Sequence, residues 1–83
     1  MGEDIKYAVT EDVFARIENN FSYHKPQADQ LARYALIRSS GAFLAAALCE
    51  WCPPSRELSL ALTKIEEAVM WANAAIARNE TVE

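Results

Sequence analysis

Apolar residues recur three and four positions apart over most of this chain, the spacing of an α-helix that faces a partner. The longest such run is Leu58, Ala61, Leu62, Ile65, Ala68, Val69, Ala72, Ala75 and Ile76, sustained over three heptads. Ser55 stands ahead of it as a cap, so the pattern predicts a helix from Ser55 to Asn79. Pro53-Pro54 ends a preceding helix, placed from Pro26 to Trp51 because a proline suits a first helical turn. A shorter helix opens at Thr10, whose hydroxyl caps it while Glu11 and Asp12 meet the positive end of its dipole. Val13, Phe14 and Ile17 give that helix one apolar face, and Asn19-Asn20, weak helix formers, are expected to close it. Residues 1–9 carry no period and are expected to fray. The chain is therefore expected to be all-α, a single domain over 1–83 with a short N-terminal helix followed by a long antiparallel helical hairpin.

The Pro26–Trp51 helix is apolar on more than one side. One set is Leu31, Tyr34, Ala35, Ala42, Ala45, Leu48 and Cys49; a second is Leu36, Ile37, Phe43, Leu44 and Ala47. A helix apolar on most sides has to be covered on most sides, and a single hairpin partner covers only one. Composition sharpens the point. Of the 83 residues 52% are hydrophobic, above the usual figure of about 45–50%, in a chain too short to hide most of its surface. The surplus is expected to be covered by copies of the same chain, as a homo-oligomer.

The formal net charge is -4. A protein that coats polymeric nucleic acid needs a basic surface, so that class is excluded, whereas a small ligand with two or three phosphates needs only one or two local cations. No apolar run reaches the roughly 18 residues of a membrane span. The opening residues lack the basic-then-apolar order of a secretion signal, and Lys6 stands where a myristoylation motif wants Ser or Thr. The expected location is the cytoplasm, with no membrane partner.

Few residues suggest chemistry. Cys49 and Cys52 form a C-x-x-C at the C-terminal end of a helix, where the dipole disfavours a thiolate, and no second pair completes a zinc site. They are expected to be buried, reduced and structural, and no metal is expected. His24 is the single histidine, with no evident orienting carboxylate. Glu66 and Glu67 are neighbours and point to different sides of a helix. Gly2 and Gly41, the only glycines, make no phosphate loop. No enzyme and no cofactor are expected. Tyr23 is more suggestive: an aromatic in a loop before a helix offers its face to a nucleobase. Arg38 falls on the stripe of Leu31, Tyr34 and Ala45, where a guanidinium calls for an anion, and phosphate fits its fork. The plainer alternative is that Arg38 meets a carboxylate of another chain while Tyr23 fills a core. Ser40, two residues beyond, faces a different side with Arg33, Ile37 and Phe43. Lys64, Trp71 and Arg78 repeat every seven residues along the last helix, where Arg78 can simply complement the dipole and Trp71 can simply be core.

With these residues in view the chain resembles a known family. Phe21-Ser-Tyr-His-Lys-Pro, Asp29-Gln30, Arg33-Tyr34 and Ile37-Arg38 look like the opening of the phage anti-CBASS cyclic-nucleotide sponge, whose hairpin domain is shared with a Thoeris anti-defence family. Cys52 to Asn79, above all Ala-Val-Met-Trp-Ala-Asn-Ala-Ala-Ile-Ala-Arg-Asn, looks like its second helix, so the likeness spans residues 21–80. The resemblance implies a hexamer of helical hairpins that binds cyclic dinucleotides and cyclic trinucleotides in separate pockets between chains, without turning them over, in the host bacterial cytoplasm. By similarity Tyr23 and Arg38 would hold the dinucleotide, with His24 and Lys25 as weaker contacts, and Ser40 and Arg78 the trinucleotide. In that family the phosphate-binding cation can be lysine, so arginine at 38 implies a different contact geometry. The acidic first twenty residues lie outside the likeness. The competing expectation is a structural hairpin module that assembles chains and binds no ligand.

Overall fold

A computed structural model describes residues 7–80 and is helical throughout its ordered elements: α1 (Glu11–Phe21), α2 (Ala28–Trp51) and α3 (Arg56–Asn79). No strand occurs among the described residues. The fraying expected for residues 1–9 falls largely on residues 1–6, outside the described ones; Tyr7 to Val9 have no regular secondary structure. No described helix is long and apolar enough to cross a membrane.

The helix starts follow their caps. Thr10 Oγ1 accepts the Val13 N–H at 3.2 Å, and Ser55 Oγ accepts the Leu58 N–H at 3.1 Å. The Ser55 hydroxyl in turn donates to the Pro53 carbonyl at 3.0 Å, folding the Pro-Pro connector tightly. Two boundaries differ from expectation. Asn19 and Asn20 do not close α1; they lie inside it, because tertiary hydrogen bonds hold Asn19 in place and outweigh its weak propensity. α2 starts at Ala28 rather than Pro26 because Gln27 is its cap, with the Gln30 side-chain carbonyl accepting the Gln27 N–H at 2.9 Å.

α2 and α3 lie antiparallel and form the one extensive helix–helix contact among the described residues; α1 makes no extensive contact with either. The α2 line that meets α3 runs through Tyr34, Ile37, Gly41, Ala45 and Leu48, all half-buried. It draws on both apolar sets, so part of each stays outside: Leu31, Leu36, Phe43 and Leu44 are exposed. Leu58, Leu62, Ile65, Val69, Ala72 and Ile76 answer from α3. Gly41 is a point of close approach between the pair, since a Cβ built on it would stand 2.5 Å from Val69 Cγ2.

No hydrophobic residue of the described chain is buried; the single buried residue is Gln30, 5% exposed. The chain exposes 7093 Å², where a compact fold of 9.3 kDa would expose about 5,000 Å². Its radius of gyration is 18.6 Å, against about 12 Å for a globule of this length. Cys49 and Cys52 are both reduced, but the expected burial is absent: Cys49 is exposed and Cys52 half-buried, because they sit at the hairpin tip before α3 begins to cover α2.

Gly41→Ala is expected to destabilise the hairpin by about 1–3 kcal/mol through overpacking, against a helix-propensity gain of about 1 kcal/mol. Val69 is β-branched and stiff at χ1, so it cannot swing aside cheaply. Thermal unfolding checks this, with Gly41→Ala/Val69→Ala melting above Gly41→Ala alone. A Gly41→Ala protein as stable as the parent would contradict the close approach.

Candidate functional site

The open end of the hairpin is where three segments converge: the end of α1, the connector from Ser22 to Gln27, and the facing turns of α2 and α3. Asn19 ties them. Its side-chain amide donates to the Arg78 carbonyl at 2.9 Å, and its own carbonyl lies 2.7 Å from His24 Nε2. A carbonyl only accepts, so His24 carries its proton on Nε2 in this bond. α1 and the connector are thereby pinned to the last turn of α3.

A second tie closes the hairpin ends. Glu80, the residue that caps α3, receives Arg33 as a fork: Nη1 to Oε2 at 2.8 Å and Nη2 to Oε1 at 2.6 Å. Gln30 Nε2 donates to the same Oε1 at 2.9 Å, and Asp29 takes Arg33 from the other side at 3.1 Å. The Arg33 hydrogen bonds first, and the Gln30 hydrogen bond second, hold the Glu80 carboxyl down from 4.5 to about 2. The Arg33 guanidinium is held correspondingly more firmly protonated by the Glu80 hydrogen bonds.

Two hollows lie on this scaffold and share Tyr23, His24, Ala77 and Arg78. The larger, about 410 Å³, is walled by Tyr23, His24 and Pro26 from the connector and by Tyr34 and Arg38 from α2. Asn73, Ala74, Ala77 and Arg78 of α3 complete it, and no carboxylate lines it. In a chain of net charge -4, that is a locally positive groove. Arg38 makes no ion pair with any described residue. The Tyr23 ring is 84% exposed at the rim, which removes the reading of it as core within one chain. The other hollow, about 330 Å³, adds Lys25, Gln27 and Gln30 but also the Glu80 carboxylate.

Ser40 lies elsewhere. It lines an apolar hollow of about 280 Å³ with Ile37, Gly41, Leu44, Ala68 and Ala72. Arg38 and Ser40 thus serve opposite sides of the α2–α3 seam, as their two-residue offset requires. Arg78 does not join Ser40 within one chain; it lines the Tyr23–Arg38 groove, with its guanidinium carbon 5.8 Å from the centre of the Trp71 ring. Trp71 itself is 57% exposed, so it is not core in a single copy. Lys25 and His24 stand with Tyr23 around the smaller hollow. Asn19, Asn73, Ala74 and Ala77 were not among the expected site residues. Their roles come from which turns of three helices meet, although Asn73 does interrupt a run of alanines.

The chain matches the family described as the Acb2/Tad1 hairpin domain over residues 15–77 and belongs to that family. The matched stretch contains Tyr23, Arg38 and Ser40, and stops one residue short of Arg78. Neither the comparison with curated proteins nor that with solved structures found a match.

The Glu80 carboxyl is depressed in the folded state, so its contribution to stability is present above about pH 4.5 and is lost as pH falls toward 2. Melting temperature followed from pH 6 down to about pH 2 is expected to fall less steeply for Glu80→Gln than for the parent over that window. Parallel curves would mean that the Arg33 fork does not hold the hairpin ends.

Proposed function

We propose that this protein is an anti-defence protein that binds and sequesters cyclic oligonucleotide second messengers of bacterial CBASS immunity, cyclic dinucleotides and cyclic trinucleotides, without turnover. It does so as a homo-oligomer, a hexamer by resemblance, in the host cytoplasm. The observation that carries the reading is the groove at the open end, which places an exposed tyrosine beside two arginines with no carboxylate, on an otherwise acidic chain. Membership of the Acb2/Tad1 hairpin family supports it.

The physics of capture explains why one copy is not enough. A trap that outcompetes a receptor needs nanomolar affinity, about −12 kcal/mol. Stacking supplies roughly 1–3 kcal/mol per base, and hydrogen bonds to a charged group about 1.5–3 kcal/mol each. Those sums are reached only when the pocket is preformed and partly dry. The groove of one chain lies open to solvent along its rim, with Tyr23 uncovered. A second copy laid over it would supply the missing wall and, for a dinucleotide, a second Tyr23 and Arg38 for the other base and phosphate. The trinucleotide pocket needs the partner even more, because Ser40 and Arg78 line different hollows of one chain.

Titration calorimetry with a panel of cyclic di- and trinucleotides tests the proposal. The parent is expected to bind both classes and to release them intact after heat denaturation. Tyr23→Ala and Arg38→Ala should weaken dinucleotides by about 10- to 100-fold and spare trinucleotides, with the reverse for Ser40→Ala and Arg78→Ala. Cleaved products would contradict sequestration. Silence with every nucleotide would leave the structural module as the better reading. Loss of dinucleotides in Arg78→Ala would assign Arg78 to the groove it shares with Arg38.

A further inference from the structure

Tyr34 is half-buried on the α2 line that meets α3, and it also lines the groove that holds Tyr23 and Arg38. A ring packed in a helix seam has little freedom left to lose when a ligand arrives, so a polar group on it is offered already in place. That polar group is idle. No hydrogen bond among the described residues engages the Tyr34 hydroxyl. Nor is it sealed in: the side-chain oxygen that is both buried and unpaired belongs to Asn73, so the Tyr34 hydroxyl keeps contact with solvent. A tyrosine that is partly buried usually sends its hydroxyl to a partner, and packing alone would be served as well by an apolar side chain.

The surroundings decide what this hydroxyl would meet. Arg38 lies one helical turn beyond Tyr34, so the two side chains are neighbours on one face of α2, with Cβ atoms about 5–6 Å apart. Arg78 lines the same groove from α3, and no carboxylate does. A phenol that donates, beside guanidinium groups that only donate, is a set of donors without an acceptor. An anion rich in lone pairs completes such a set. A phosphodiester has two non-bridging oxygens, and one arginine fork leaves part of their accepting capacity free for a further donor. The base of the same nucleotide belongs with the Tyr23 ring at the rim, where a face is free for stacking.

We infer that Tyr34 is a phosphate-binding residue of the groove, its hydroxyl donating to a non-bridging oxygen of the phosphodiester that Arg38 holds. The inference rests on the groove being a dinucleotide site, and the experiment separates the two. Binding of cyclic di-AMP, cyclic di-GMP and the mixed cyclic GMP–AMP is measured by calorimetry on the parent and on Tyr34→Phe, which keeps the ring and removes the oxygen. The melting temperature and the mass in solution of both proteins are measured alongside. Tyr34→Phe is expected to weaken each cyclic dinucleotide that the parent binds by about 10-fold or more, as loss of a hydrogen bond to a charged group gives. The factor should be the same for each, because the phosphodiester is common to all and the bases are not. Melting temperature and mass should match the parent, because the hydroxyl has no partner within the chain to lose. A parent that binds none of the three overturns the groove as a dinucleotide site, and this inference with it. Parent-like affinities in Tyr34→Phe overturn the role of Tyr34 alone and leave the groove standing. A loss that differs from base to base would put the hydroxyl at a base edge and overturn the phosphate contact. So would a lower mass for Tyr34→Phe, which would show that the hydroxyl pairs with another copy.

Discussion

Two helices of 24 residues that touch along one line hide only the side chains on that line, and everything else in this molecule follows from what they leave uncovered. The seam is tight where Gly41 lets α3 approach, yet even there its side chains are only half-buried. α2 carries apolar residues on more than one side, so the seam uses one line and leaves Leu36, Phe43 and Leu44 in water. α1 adds Val13, Phe14 and Ile17, all exposed, on a helix with no extensive contact to α2 or α3. Exposing that much apolar area is unfavourable at roughly 25 cal/mol per Å², which makes association between copies the physically expected outcome.

Against that apolar background the long-range side-chain hydrogen bonds are concentrated at one end. The Arg33–Glu80–Gln30 tie closes the hairpin, and Asn19 secures α1 and the connector to the carbonyl of Arg78. These bonds join backbone and side chains that would otherwise be loosely held, and so set where Tyr23 stands relative to Arg38. Placing Glu80 in the smaller hollow and keeping acids out of the larger one separates the charges. An acidic chain can in this way offer a local site to an anion, with arginine forks suited to phosphate.

How much of this was legible in the sequence depends on the range of the interaction. Local rules found the caps at Thr10 and Ser55, the Pro53-Pro54 break, the hairpin and the opposite facing of Arg38 and Ser40, all of which need only near neighbours. The end of α1 was misplaced because the partners of Asn19 lie in the connector and in α3, far along the chain. The start of α2 was misplaced because glutamines, not the usual short polar residues, form its cap. Arg78 beside Arg38, and Asn73 in the groove, depend on the register of α2 against α3, which no spacing within one helix reveals. The cysteines were expected inside because neither a redox setting nor a zinc site surrounds the C-x-x-C, whereas the tip has no third element over it.

The most direct test of this account is the mass of the protein in solution. Sedimentation equilibrium at micromolar concentration should give a multiple of the 9.3 kDa chain, with loss of helix on dilution below the dissociation point, because folding and association bury the same surface. A cooperatively folded species of single-chain mass would mean that the apolar faces are stable in water, and that no pocket is completed between copies.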